Sequence, residues 1–231
     1  HQIKIKKLET SGLFEYVEPD WRLSINLEPE DLAYNDGRLW GLKNDGSNEG
    51  QLNADINASE AWNYTIGDKS VVVGVIDTGI RYTHQDLADN MWKNPNEIAG
   101  DGIDNDNNGY VDDVFGLNAL DASGDPFDDN GHGTHCAGTI GAAANNGFDH
   151  VGVAWSTQLM ALKFLDADGF GSLSGAMECI EYAIANGADI INASYGGGGF
   201  SQAMADLIVA VGEAGVLFVA AAGNESNNND T

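Results

Sequence analysis

The sequence predicts an α/β fold with a mostly parallel central sheet flanked by helices, and three observations carry that expectation. "VVVGVID" (71–77) is a continuous apolar run, as a strand covered on both faces reads. "QLMALKFLD" (158–166), "ADIINASYG" (188–196) and "GVLFVAAAGN" (215–224) have the same character and are its partners. Between them lie helical patterns at about 132–144, 172–187 and 200–215. Strands alternating with helices imply parallel pairing through right-handed crossovers.

In chain order, residues 1–20 end in "SGLFEYVEPD", a strand-like run closed by Pro-Asp. Residues 21–56 are irregular and rich in Asn, Asp and Gly, with "LWGL" at 39–42 as an apolar anchor. From residue 57 the alternation becomes regular, and no internal repeat is evident. At 231 residues the chain is long enough for one large domain with a real core. No apolar run approaches the roughly 20 residues of a membrane span. The first residues, "HQIKIKKLET", carry no apolar signal-peptide core, and a chain beginning with His is expected to be cut from a longer one.

The formal net charge is -26, unevenly spread. Residues 51–231 hold four basic side chains (Lys69, Arg81, Lys93, Lys163) against 26 acidic ones, a local net of -22. Such a surface repels nucleic acid and anionic lipid, so neither is an expected partner. The two cysteines, Cys136 and Cys179, fall in helical patterns, give no disulfide framework and read as small buried side chains.

Active sites of open parallel sheets gather at the carboxyl ends of the strands. Here those ends offer Asp77, Ser194 and Asn224, while His132 opens a helix after a Gly- and Asp-rich loop. A carboxylate, an imidazole and an amide are three parts of an acyl-transfer machine. The imidazole takes the nucleophile's proton, the carboxylate fixes its tautomer, and the amide stabilises the developing oxyanion. The positive end of a helix favours the uncharged imidazole that a base must be. His135, three positions on, reads as structural.

A second chemistry is legible in "DNDNNGYVDD" (104–113). Asp104, Asp106 and Asn108, then Gly109 for a turn and the Tyr110 carbonyl, follow the first half of an EF-hand loop. The bidentate acid of the twelfth position is Phe115 instead, so Asp112 or Asp113 must complete the shell, with Glu97 from the preceding segment. Hard oxygen ligands favour Ca²⁺. An unliganded acidic turn is the alternative. The acidic stretch 121–130 is a weaker candidate for a further site.

"VIDTGI" with Asp77, "GHGTHCAGTIG" with His132 and "AAAGN" with Asn224 resemble the signature segments of subtilisin-like serine proteases, in the same order. The resemblance runs from about Leu39 to the end and implies a three-layer subtilisin-like fold, incomplete here. It makes Asp77 and His132 triad members and Asn224 the oxyanion donor. It places Ser194, Tyr195 and Gly196 on one substrate-binding edge, and Gly169, Phe170 and Gly171 on the other. Glycines on such edges let a peptide strand approach the backbone and pair with it. Tyr195 and the glycines suggest a broad, apolar preference in the primary pocket.

The family's Gly-Thr-Ser-Met-Ala segment does not occur, and Ser194 and Ser226 lack its context. The resemblance therefore puts the nucleophile beyond Thr231. It also assigns residues 1–20 as the end of an inhibitory propeptide, 21–50 as linker and mature N-terminal segment, and 51–231 as the N-terminal part of the catalytic domain. It implies protein or peptide substrates, the enzyme's own propeptide as inhibitor, and secretion. A second calcium site rests on it too, with Asp86, Asn146 and the carbonyls of Ala144, Phe148 and His150 as ligands. Two other readings stay open: a calcium-binding pseudoenzyme or interaction domain without a nucleophile, and a two-chain protease whose other half supplies the serine.

Overall fold

β1 (Val72–Asp77) runs through the centre of the molecule with all six residues buried. Its alternation sorts the side chains into two layers. Val73 and Val75 pack with Leu159, Ala161 and Ala137, whereas Val72 and Ile76 pack with Met160, Leu162, Ile180 and Ala183. Both faces are therefore covered, which is why the run reads as apolar throughout. The coordinates are those of a computed structural model and describe residues 8, 10–13, 16–17, 27–47 and 49–226. The strand-like run at 8–20 falls largely outside the described residues, as do 21–26 of the expected linker.

Four further strands join β1 in one parallel sheet: β2 (Gly116–Asn118), β3 (Gln158–Lys163), β4 (Ile190–Ala193) and β5 (Leu217–Ala220), in the order β2-β3-β1-β4-β5, with β3 and β4 as the direct neighbours of β1. α3 (His132–Gly141) supplies Ala137 to the Val73/Val75 face. α4 (Leu173–Ala185) and α5 (Gln202–Glu213) cover the other face with residues such as Ile180 and Val211. Ser172 and Ser201 cap α4 and α5 by accepting from the Gly175 and Met204 amides at 3.0 and 3.3 Å. From β1 the chain passes to the far edge as β2, comes back beside β1 as β3, then crosses to place β4 and β5 on the other side. That reversal lies beside β1, so the crevice for a ligand opens at the carboxyl end of β1, next to Asp77.

Two short helices precede the sheet, α1 (Leu32–Asn35) and α2 (Ala58–Ala61). The first corrects the expectation that 21–56 is wholly irregular. Tyr34, Ala58, Trp62 and Trp155 form a satellite core on which Leu39 and Leu42 of the "LWGL" anchor pack, while Trp40 stays exposed.

The elements are shorter than their patterns. β3 stops at Lys163 because the Phe164 and Leu165 amides both turn onto the Asp77 carbonyl, at 3.0 and 3.2 Å. α3 stops at Gly141, where the buried Asn90 side chain donates to the Gly141 and Trp155 carbonyls at 2.6 and 2.8 Å. β2 carries no period of its own. Its first residue must be glycine, since a Cβ on Gly116 (φ +137°) would lie 1.8 Å from the Ala161 carbonyl oxygen. β5 is an edge strand with Leu217 and Val219 exposed, so its apolar run is not buried on both faces among the described residues.

Candidate active site

Asp77 is the last residue of β1 and has the parity of Val73 and Val75, which turns it toward α3. His132 is the first residue of α3. The pairing follows from those two facts: His132 Nδ1 lies 2.7 and 2.9 Å from the two oxygens of Asp77, whose carboxylate is fully buried. A carboxylate accepts, so Nδ1 donates, and Nε2 is left with its lone pair free to take a proton. The His132 side chain is 53% exposed. The imidazole therefore faces solvent while its carboxylate partner does not.

The loop into α3 is held by groups that the sequence reading passed over. Thr78 Oγ1 accepts from the Gly133 amide at 2.9 Å and donates to Asp128 Oδ1 at 2.8 Å. Asp128 also accepts from the amides of Asn130, Gly131 and Thr134 and from the Thr134 hydroxyl. Burial alone would raise its pKa. The Thr134 hydroxyl and the backbone donors outweigh that and hold it below the ordinary carboxylate value. Helix and strand approach so closely that a Cβ on Gly133 would meet the Gly79 carbonyl oxygen at 2.1 Å.

A cleft of about 610 Å³ opens beside His132. Gly169, Phe170 and Gly171 line one side, and Ser194, Tyr195 and Gly196 the other, so all six sequence-derived substrate positions share one crevice with His132. The first edge is a tight loop closed by an antiparallel bridge between Leu165 and Gly171, with Phe170 projecting into solvent. Tyr195 packs against Phe164 at 4.6 Å between ring centroids, and burial pushes its phenol up to about 12. Asn224 is not brought into the cleft. It lies four residues past β5, exposed, with its amide donating to Glu225. Cys179 is buried as expected, but Cys136 is only half-buried, with Sγ 3.9 Å from His132 Nδ1. Burial pushes the Cys136 thiol up, away from a reactive thiolate. His135 is exposed.

The acidic loop is resolved into two kinds of carboxylate. Glu97, Asp106 and Asp113 converge, each offering an oxygen within 4.8 Å of the others. Asp113 is fully buried, and Glu97 Oε2 is buried without any hydrogen-bond partner. Asn94 and Asn108 donate into the cluster, and the Tyr182 hydroxyl donates to Asp113. Asp104 and Asp112 are spent on the backbone instead, accepting from Asn108 and Gly109, and from Gly100 and Gly102. The Tyr110 hydroxyl donates to Glu178 at 2.7 Å. Three carboxylates around an orphaned oxygen fit a hard cation.

At the second expected site, Asn146 Nδ2 donates to Asp86 Oδ1 at 2.9 Å. Phe148 and His150 follow in the same loop, with Phe148 half-turned to solvent. Asp31, which carries no local signal of this role, reaches the loop from the N-terminal side. One of its oxygens accepts from the Asn145 amide at 2.9 Å, and the other is buried and unpaired. In 121–130, by contrast, Asp121 accepts from Ser123, Asp125 from Tyr82 and Asp129 from Lys163, which leaves no converging set there among the described residues.

Residues 68–231 match the subtilase family, Peptidase_S8. The chain belongs to the subtilase family. Its similarity extends to subtilisin-like protease 1 of Plasmodium berghei (strain Anka), 42% identical over 66% of this chain and 26% of that protein. The halolysin-like extracellular serine protease Nep of Natrialba magadii is 38% identical over 74% of this chain and 29% of its own length. The subtilase fold is borne out by the crystal structure of a cold-adapted subtilisin-like serine proteinase, with a TM-score of 0.51 and 26% identity over 80% of this chain and 56% of that one. The chain thus spans between a quarter and a third of these two relatives.

Proposed function

We propose that the full-length subtilase is a secreted serine endopeptidase and that residues 51–231 are the N-terminal part of its catalytic domain. The observation that carries this is the 2.7 Å contact of His132 with buried Asp77 at the mouth of a cleft walled by both substrate edges. In that reading His132 Nε2 removes the proton of a serine hydroxyl supplied by chain beyond Thr231, then returns it to the leaving amine. Asp77 holds the tautomer and balances the imidazolium charge. Asn224 donates to the oxyanion once the rest of the domain orders the segment after β5. An extended peptide lies between residues 169–171 and 194–196 and pairs with their backbone.

Residues 1–20 are assigned as the end of an inhibitory propeptide and 21–50 as linker and mature N-terminal segment. The extracellular designation of Nep supports secretion, and among the described residues no helix is long and apolar enough to cross a membrane. Calcium is the proposed metal. Glu97, Asp106 and Asp113 hold one ion, joined by the Asn108 and Tyr110 oxygens. Asp86, Asn146, Asp31 and the carbonyls of Ala144, Phe148 and His150 hold a second. When bound, calcium supplies charge compensation to the loops and no chemistry at the scissile bond. The test is peptide hydrolysis and fluorophosphonate labelling by the full-length protein. Labelling lost on serine replacement supports the reading, and neither labelling nor turnover would leave the pseudoenzyme.

A further inference from the structure

Lys163 is one of four basic side chains in residues 51–231, and it is buried, at 3% exposure. A buried ammonium is costly unless each of its three protons finds an acceptor. Here each does. Nζ donates to the Thr78 carbonyl at 2.7 Å, the Leu165 carbonyl at 2.9 Å and Asp129 Oδ1 at 2.6 Å. These acceptors sit on three different segments of the site. Thr78 begins the turn after Asp77. Leu165 opens the loop that ends in Gly169–Gly171. Asp129 lies three residues before His132. Lys163 is the register partner of Asp77 on the neighbouring strand. It shares the parity of Leu159 and Ala161, so it projects from the α3 face of the sheet, as Asp77 does.

We propose that Lys163 is a positioning residue that sets the distance between the Asp77–His132 pair and the substrate edge. This rests on the protease reading and adds the device that aligns base and peptide. A merely space-filling side chain would not need three hydrogen bonds to three segments. The same junction is fastened once more at its rim, where Asn130 Nδ2 donates to the Ala167 carbonyl at 2.8 Å and its Oδ1 accepts from the His132 amide at 3.1 Å. Without the ammonium, two carbonyls lose their donor and the Asp129 carboxylate loses its counter-ion. The three segments then relax independently, and a displacement on the scale of an ångström between base and substrate is enough to cost about a hundredfold in rate.

The test is Lys163→Met in the full-length protein, assayed well below its melting temperature. The expected result is a fall of about a hundredfold in kcat/KM, with kcat lowered because the dyad shifts and KM raised because the edge shifts. Asp129→Ala, which removes a half-exposed partner and leaves the backbone acceptors, is expected to show a weaker form of the same pattern and serves if Lys163→Met does not fold. The double variant is expected to be no worse than Lys163→Met alone, since the pair acts as a unit. Kinetic constants within about twofold of the parent, with only the melting temperature lowered, would overturn the proposal. A readout independent of turnover is the downfield proton between His132 and Asp77 in nuclear magnetic resonance. It is expected to broaden or shift in both single variants. If the parent neither cleaves peptide nor takes up a fluorophosphonate, the protease reading fails, and an unchanged proton resonance would still dismiss Lys163 on its own.

Discussion

The Asp77–His132 pair and the Glu97–Asp106–Asp113 cluster both bury carboxylates, yet they are finished differently. At the dyad every charged oxygen is met by a donor of the protein itself: the imidazole, and the Thr78 amide at 2.7 Å from Asp77 Oδ1. At the cluster three like charges converge, the donors are the neutral Asn94, Asn108 and Tyr182, and Glu97 Oε2 has no partner. Like charges at such separations oppose one another strongly in a poorly solvated site. A site completed by protein donors is organised by folding alone. A site left with excess negative charge is the one expected to respond to a cation.

The sharpest way to break that contrast is at the dyad. On the protease reading, Asp77→Asn in the full-length protein keeps the shape but presents the wrong tautomer of His132, with an expected loss of about 10⁴-fold in kcat. Full activity in that variant would show that the buried carboxylate is not part of the chemistry. The cluster is expected to respond to metal instead. An ion that binds only the folded chain adds RT ln(1 + [L]/Kd), about 2.7 kcal/mol at a hundredfold excess. Chelation should therefore lower the melting temperature of the full-length protein, calcium should restore it, and magnesium should do so poorly because it demands a tighter octahedral shell. Asp106→Ala should remove part of that response while leaving Asp77 and His132 in place. A melting curve indifferent to chelator would reduce the loop to a solvated acidic turn.

Asp128 offers a third carboxylate, completed by protein donors like Asp77 but set in the loop that leads into α3. Its folded pKa lies below the unfolded value of 3.8. Its stabilisation is therefore fully present above that value and is lost as pH falls through the folded pKa. Asp128→Asn should cost about 2 kcal/mol near neutral pH, and denaturant titrations should show the gap to the parent closing in acid. The smallest expected effect is at Cys136. Its thiol is near His132 but raised away from ionisation, so Cys136→Ala should shift stability by no more than about 1 kcal/mol and leave turnover intact.

Much of this was legible in sequence because it depends on local pattern. A doubly covered strand has to be apolar throughout, so the run at 71–77 disclosed β1 and, by its last residue, the place of Asp77. The signature around His132 fixed the other half of the dyad. The two glycine-bearing edges came from the family resemblance, and the structure brings them to one cleft with His132. The limits of the elements were not legible, because they are set from outside: Asn90 ends α3, and the Asp77 carbonyl ends β3. β2 was missed because three residues carry no period and its glycine answers to the Ala161 carbonyl rather than to its neighbours in sequence.

The sequence by itself determined which residue types the protein could bring to chemistry, since strand periodicity, a helix start and acid spacing are properties of short stretches. Only the tertiary structure decided which of those residues meet. Four acids stand between 104 and 113, but the turn uses Asp104 and Asp112 for its own backbone and sends Asp106 and Asp113 to Glu97. Lys163 and Asp31 read as ordinary charges in sequence. Their roles come from burial beside segments distant along the chain, where a charge has to find partners and the surrounding fold determines which ones it finds.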